Sequence, residues 1–212
     1  MKLTLLHLRN LCLMLCGVLM CFACKKETVV TKEKPIPFSY DIRNDTVIHG
    51  LIALEQVGDI DEIDTYLTHH NPTYRFQALK SYTSPRYPDR LNKIHALLND
   101  TVGEVRQRAI YAVGQQANKQ SIPLLIEQYD AWDSLKLRAE SNALVLEAIG
   151  KCGARNELEL LASIKTFDPA DSVLIRGQSL GIFQLLLKGN HRHKEKRENR
   201  FDSIRVSICV HL

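Results

Sequence analysis

Thiols, imidazoles and clustered carboxylates are the groups in this sequence whose chemistry could go beyond packing. There are six cysteines and eight histidines. Two adjacent histidines, His69 and His70, could offer imidazoles to a metal. Neighbouring side chains on a helix diverge by about 100°, so such a pair does not converge on one ion. A surface helix end, where the dipole favours imidazole, accounts for them. His191-Arg192-His193 is a His-x-His pair, and a zinc site there would need two more ligands. Only Glu195 and Glu198 lie near. Asp59, Asp61, Glu62 and Asp64 lack the spacing of a calcium loop. The start of a helix is reason enough for acids at these positions. No glycine-rich phosphate loop, GxSxG, HExxH or paired CxxC occurs. These patterns lead to the expectation of no catalytic residue, no metal and no cofactor.

Charge and apolar runs set the frame for those groups. The chain has 212 residues, 45% hydrophobic and 25% charged, which excludes a multi-span membrane protein and a wholly disordered chain. At this length one domain or one repeat array is the expectation. The formal charge is +4, and removing residues 1–23 takes away Lys2, Arg9 and no acid, leaving +2. That balance is too small to point to nucleic acid. Residues 191–200 hold five Lys and Arg against two Glu and read as a solvated basic linker.

The amino terminus has the layout of a secretory leader. Lys2 and Arg9 form a basic region, and Leu11 to Ala23 run for 13 residues without a charge. A spanning helix needs about 20 apolar residues, so a retained anchor helix is the weaker alternative. The run ends Cys21-Phe22-Ala23-Cys24. Ala23-Cys24 resembles the lipobox of bacterial lipoproteins. Phe22 and Cys21 depart from its usual small and leucine positions, and loose lipoboxes of this kind resemble those of Bacteroidetes. The resemblance implies cleavage before Cys24 and acylation of its thiol and new amino terminus. Two or three acyl chains hold a soluble domain on a membrane where one would not. The leader would remove Cys12, Cys16 and Cys21. Cys152 and Cys209 would remain as thiols, 57 positions apart. One pair is not a disulfide framework. An oxidising compartment would allow a bridge, and a buried free Cys152 is the plainer expectation.

Four segments follow: a lipoprotein signal peptide at 1–23, a tether at 24–45, a helical domain at 46–189, and a basic linker and tail at 190–212. Pro35 and Pro37 mark the tether, although Ile36 and Phe38 could pack locally. In the tail, only Ile204 to Val210 alternates like a strand. Within the helical domain, Leu91, Ile94, Leu97 and Leu98 share one helix face, and Asn99-Asp100 breaks that helix. Val105, Ala109, Ala112 and Val113 share the next, with Gly114 near its end. Ser121 is a plausible N-cap, followed by Pro123 in the first turn. The unit recurs. Tyr74-Arg75, Ala78 and Tyr82 lie 31 positions before Val105-Arg106, Ala109 and Val113. Ala148-Ile149-Gly150 lie 36 after Ala112-Val113-Gly114, and Ile175-Arg176, Ser179 and Ile182 lie 70 after Val105-Arg106, Ala109 and Ala112. First helices near residues 60–67, 91–98, 122–126 and 158–164 precede these, and Val47 to Val57 covers the amino-terminal end. A two-helix period of 31–36 residues predicts an all-α fold, an α-solenoid of about four helical hairpins. Ala78, Ala109, Ala112 and Ala148 would let second helices approach first helices closely.

Asn99-Asp100-Thr101, Val105-Arg106, Ala109 and Ala112-Val113-Gly114 resemble the short HEAT-like repeat. That resemblance implies that the loop Asp100 and the second-helix Arg106 tie one repeat to the next, with Arg75 and Arg176 as weaker matches. The third unit departs, with Asn142 in the arginine place. Tetratricopeptide repeats share the period, but their Trp, Gly and Tyr pattern is absent and the lone Trp132 sits in a loop. Tyr82, Pro85, Tyr87 and Pro88 form a loop that suits protein binding, and packing over a helix end explains it equally well.

The resulting expectation is a lipid-anchored protein of the bacterial cell envelope, on the periplasmic or outer-membrane side. Its solenoid would serve as a non-catalytic scaffold for a protein partner, with no nucleic acid involved. The alternative is an amino-terminal accessory module of a larger envelope enzyme. Such lipoproteins resemble the part of larger proteins in which HEAT-like repeats precede a cyclophilin-type peptidyl-prolyl isomerase domain.

Overall fold

A computed structural model of the chain describes residues 36–84, 86–133, 135–165 and 171–189. All described secondary structure is helical, with no strand among these residues. Helix α1 spans Thr46–Val57. Its N-cap Asp45 accepts from the amides of Val47 (2.9 Å) and Ile48 (3.2 Å). It stops at Gly58, whose φ of 76° is the left-handed conformation open to glycine. Four helix pairs follow: α2 (Ile60–Tyr66) with α3 (Pro72–Lys80), and α4 (Leu91–Ala96) with α5 (Gly103–Gln116), then α6 (Ile122–Gln128) with α7 (Ala139–Cys152), and α8 (Asn156–Ser163) with α9 (172–189). Short 3-10 turns at Ser81–Thr83, Pro88–Arg90, Leu97–Asn99 and Lys119–Ser121 join or extend them.

The apolar periodicity becomes burial. Helix α5 buries Val105, Ala109, Ile110, Ala112, Val113 and Gly114, and α7 buries Ala143, Val145, Leu146, Ala148, Ile149 and Gly150. Ala78, Ala109, Ala112 and Ala148 are all buried. Close contacts also run between second helices, beside those between second and first. Helix α5 packs on α3 and most extensively on α7. A Cβ on Gly114 would sit 3.0 Å from Cβ of Ala148. Between α7 and α9 the backbones touch. A Cβ on Gly150 would overlap the backbone of Gly181, and one on Gly177 would overlap that of Ala143. Glycine permits this approach because it presents no side chain.

One expected cap bond is missing and one expected boundary shifts. Helix α6 does start after Ser121, with Pro123 in its first turn. Ser121 makes no capping bond to α6. Its hydroxyl pairs with Nε2 of His95 at 2.9 Å, and Asn118 caps the preceding 3-10 turn instead. Residues 38–40, assigned to the tether, are docked on α3. Phe38 and Tyr40 meet Phe76 edge-on, with ring centroids 5.2 and 5.3 Å apart. Ser39 exchanges bonds with the Thr73 hydroxyl, and the Tyr40 hydroxyl donates to Gln77 at 2.6 Å. The fold therefore begins before residue 46, as an arm with no helix of its own.

Candidate functional site

Three of the four residues singled out for stacking, Arg75, Asp100 and Arg106, meet around one loop. Arg75 donates from Nε and Nη2 to the two oxygens of Asp100, at 2.7 and 2.8 Å. The side chains are 12% and 5% exposed, so this is a desolvated, bidentate pair. It joins the first pair's second helix to the second pair's loop. Asp100 also accepts from the Val102 amide at 2.9 Å, fixing the start of α5. Arg106 donates to the Asp100 carbonyl at 2.6 Å. Arg106 thus holds the loop of its own pair. Arg75 does the same, through the carbonyls of His69 (2.7 Å) and His70 (3.1 Å). Asn142, read as a departure, closes its loop with a reciprocal pair. Its Nδ2 donates to the Asp130 carbonyl, and its Oδ1 accepts from the Asp130 amide, both at 2.9 Å. Arg176 stands apart. It meets Glu140 at 3.2 Å with side chains 62% and 61% exposed, a surface pair of small energetic weight.

A second polar node has no local sequence signal. Within the acidic cluster only Asp59 behaves as a helix cap, accepting from the Glu62 amide at 3.2 Å. Asp64 is buried and accepts from the Tyr82 hydroxyl, Arg90 and Lys93. Arg90 reaches Asp61 as well, at 2.6 Å. The partners are brought from positions 18 to 29 residues away. Tyr82 is fully buried, and its ring meets that of Tyr87 edge-on at 5.6 Å. The aromatic part of the Pro/Tyr loop is therefore packing.

Among the described residues no group of three or more His, Cys, Asp or Glu could hold a metal. His69 and His70 lie beyond α2, not on it, so the helical divergence does not apply. Their rings sit side by side, with centroids 4.2 Å apart. His69 Nδ1 accepts from the Asn71 amide at 3.0 Å. Burial, then His70 and Arg75, push its pKa below the ordinary imidazole value. Burial does the same to His95. Cys152 is a buried free thiol, and burial pushes its pKa up to about 11. A thiol so placed has little thiolate and little access. Iodoacetamide is expected to label Cys152 only under denaturing conditions, as read by peptide mass spectrometry. Labelling of the native protein at the unfolded rate would show the site open. Because the folded-state pKa is raised, this thiol's contribution to stability is present below pH 9 and is lost as the pH rises towards 11.

The remaining candidate is a groove along the second helices. Phe38 of the arm, Phe76 of α3, Arg108 and Tyr111 of α5 and Leu144 of α7 line a cavity of about 460 Å³. All five are half-buried. The Arg108 guanidinium lies 4.6 Å from the Phe76 ring centroid and 5.7 Å from that of Tyr111. Lys151 lies over Tyr111 at 5.0 Å and pairs with Glu147 at 2.6 Å. Sequence reading missed this groove because its members are the half-buried positions between the core stripes.

Cys24, His191, His193, Glu195, Glu198, Cys209 and the basic run lie outside the described residues. Among the described residues, no helix is long and apolar enough to cross a membrane. No family model matches the chain, and no curated protein shows significant similarity to it.

Proposed function

We propose that the chain is a lipid-anchored protein of the bacterial envelope whose helix pairs form a HEAT-like solenoid, acting as a non-catalytic scaffold for another protein. The observation that supports it most is the continuity of the groove across three consecutive pairs. Packing of second helix on second helix leaves Phe76, Arg108, Tyr111 and Leu144 half-buried along one cavity. Stacked helix pairs characteristically bind through such extended surfaces, and a pocket of this size falls in the range of binding sites. A photo-cross-linking residue at Tyr111 is expected to give a protein adduct in intact cells. Absence of any adduct there, against a positive control, would remove the scaffold reading.

The anchor rests on Ala23-Cys24 after the apolar run. Cys24→Ser is expected to abolish acyl labelling and to release the protein from membranes. An uncleaved leader with unchanged membrane partition would replace the lipid anchor with an anchor helix.

The accessory-module reading draws on α9, where Leu180, Phe183, Leu186 and Leu187 remain 39–53% exposed. These would suit a covering domain. Prolyl-isomerase activity in the purified chain would displace the non-catalytic reading.

A further inference from the structure

Arginine is charged at every physiological pH, and a desolvated guanidinium normally has an acceptor. The half-buried arginines show this. Arg75 and Arg90 bind carboxylates, Arg138 faces Asp130 at 3.6 Å, and Arg106 holds a carbonyl. Arg108 is the exception among the described residues. It has ring contacts with Phe76 and Tyr111, and no hydrogen bond or carboxylate partner. Its Nε is buried and unsatisfied. Glu104, one turn earlier on α5, lines the same cavity but is exposed and does not pair with it. Lys151, which shares the Tyr111 ring with Arg108, is already paired with Glu147. The rings hold the guanidinium in place by cation–π attraction without using its N–H donors. The groove therefore contains a fixed, unpaired cation with apolar walls of Phe38, Phe76 and Leu144.

We infer that this groove binds an extended peptide segment of a partner protein carrying an Asp or Glu beside an aromatic or leucine side chain. The carboxylate bonds to Arg108, and the apolar neighbour enters between Phe38, Phe76 and Leu144. Exposed Glu104 at the rim disfavours a second acid on that side. The inference rests on the scaffold reading and names the partner chemistry of that surface.

A random-peptide display library panned on the purified full chain in detergent micelles tests it. Enriched peptides are expected to carry an acid within two positions of a large apolar residue. Synthesised and labelled, they should bind Arg108→Gln roughly ten- to hundredfold more weakly, the loss of a charge-assisted hydrogen bond. Replacing their acid by the matching amide should give the same loss on the native protein. Leu144→Glu, which adds a repelling charge to the groove lining, should reproduce the loss and keeps the test valid if Arg108→Gln alters the thermal melt. Enriched peptides without an acid, or equal binding to the native protein and both variants, would overturn the groove while leaving the scaffold reading to the Tyr111 cross-link. Failure of any peptide to enrich would also overturn it.

Discussion

Replacing Gly150 by alanine is expected to destabilise the fold by about 1–3 kcal/mol or more, the range for overpacking a closed contact. Helix propensity alone predicts the opposite, since alanine in a helix interior is favoured over glycine by about 1 kcal/mol. Packing wins because the new methyl would overlap the Gly181 backbone, which cannot rotate away as a side chain could. Helices α7 and α9 would have to separate along their shared length. Gly50 in α1 is the internal control. A Cβ there meets nothing within 4 Å, so Gly50→Ala is expected to stabilise by about 0.5–1 kcal/mol. Urea denaturation of the two variants should thus give shifts of opposite sign. A stabilising Gly150→Ala would mean that the second helices do not touch, and the stacked arrangement would be wrong.

Arg75→Met should have a still larger effect, about 3–5 kcal/mol, because it strands a buried carboxylate. Asp100 is 5% exposed at its side chain, and both its oxygens face Arg75. The same substitution also frees the loop carbonyls of His69 and His70. Arg176→Met removes an arginine from an equivalent sequence position, and about 0–1 kcal/mol is expected from its exposed pair with Glu140. A double-mutant cycle with Asp100→Asn should show strong coupling to Arg75 and none to Arg176. Equal effects from the two arginine variants would show that position along the sequence, rather than burial, sets their importance.

The sequence made the helices legible wherever burial follows a 3.6-residue period. Val105, Ala109, Ala112 and Val113 are all fully buried. It also placed Asp100 beside an arginine. It did not reveal which arginine forms the ion pair, because Arg75 and Arg106 are both six residues past the carbonyl they hold. Only the packing of one pair on the next brings Arg75 to the acid. The Asp64 node was hidden for the same reason: its partners come from another pair's approach, with no mark in the local pattern. The docked arm was obscured by Pro35 and Pro37, which suggest extension but do not prevent an extended segment from packing. His69 and His70 were misplaced by a few residues, since α2 ends at Tyr66 and the periodic apolar pattern continues to Leu67.

The loop-closing position has a consequence for how such chains are aligned. Arg75, Arg106 and Asn142 share a task, supplying a donor to a carbonyl in the preceding loop. A column scored by residue identity counts two agreements and one mismatch there. A column scored by donor geometry counts three agreements. Charge is optional at this position, whereas reach is not: the amide spans the longer sixth-to-seventh helix connection only because that loop returns its Asp130 backbone to the start of α7. The three helix pairs thus differ in the residue at this position and keep the same contact to the loop before it.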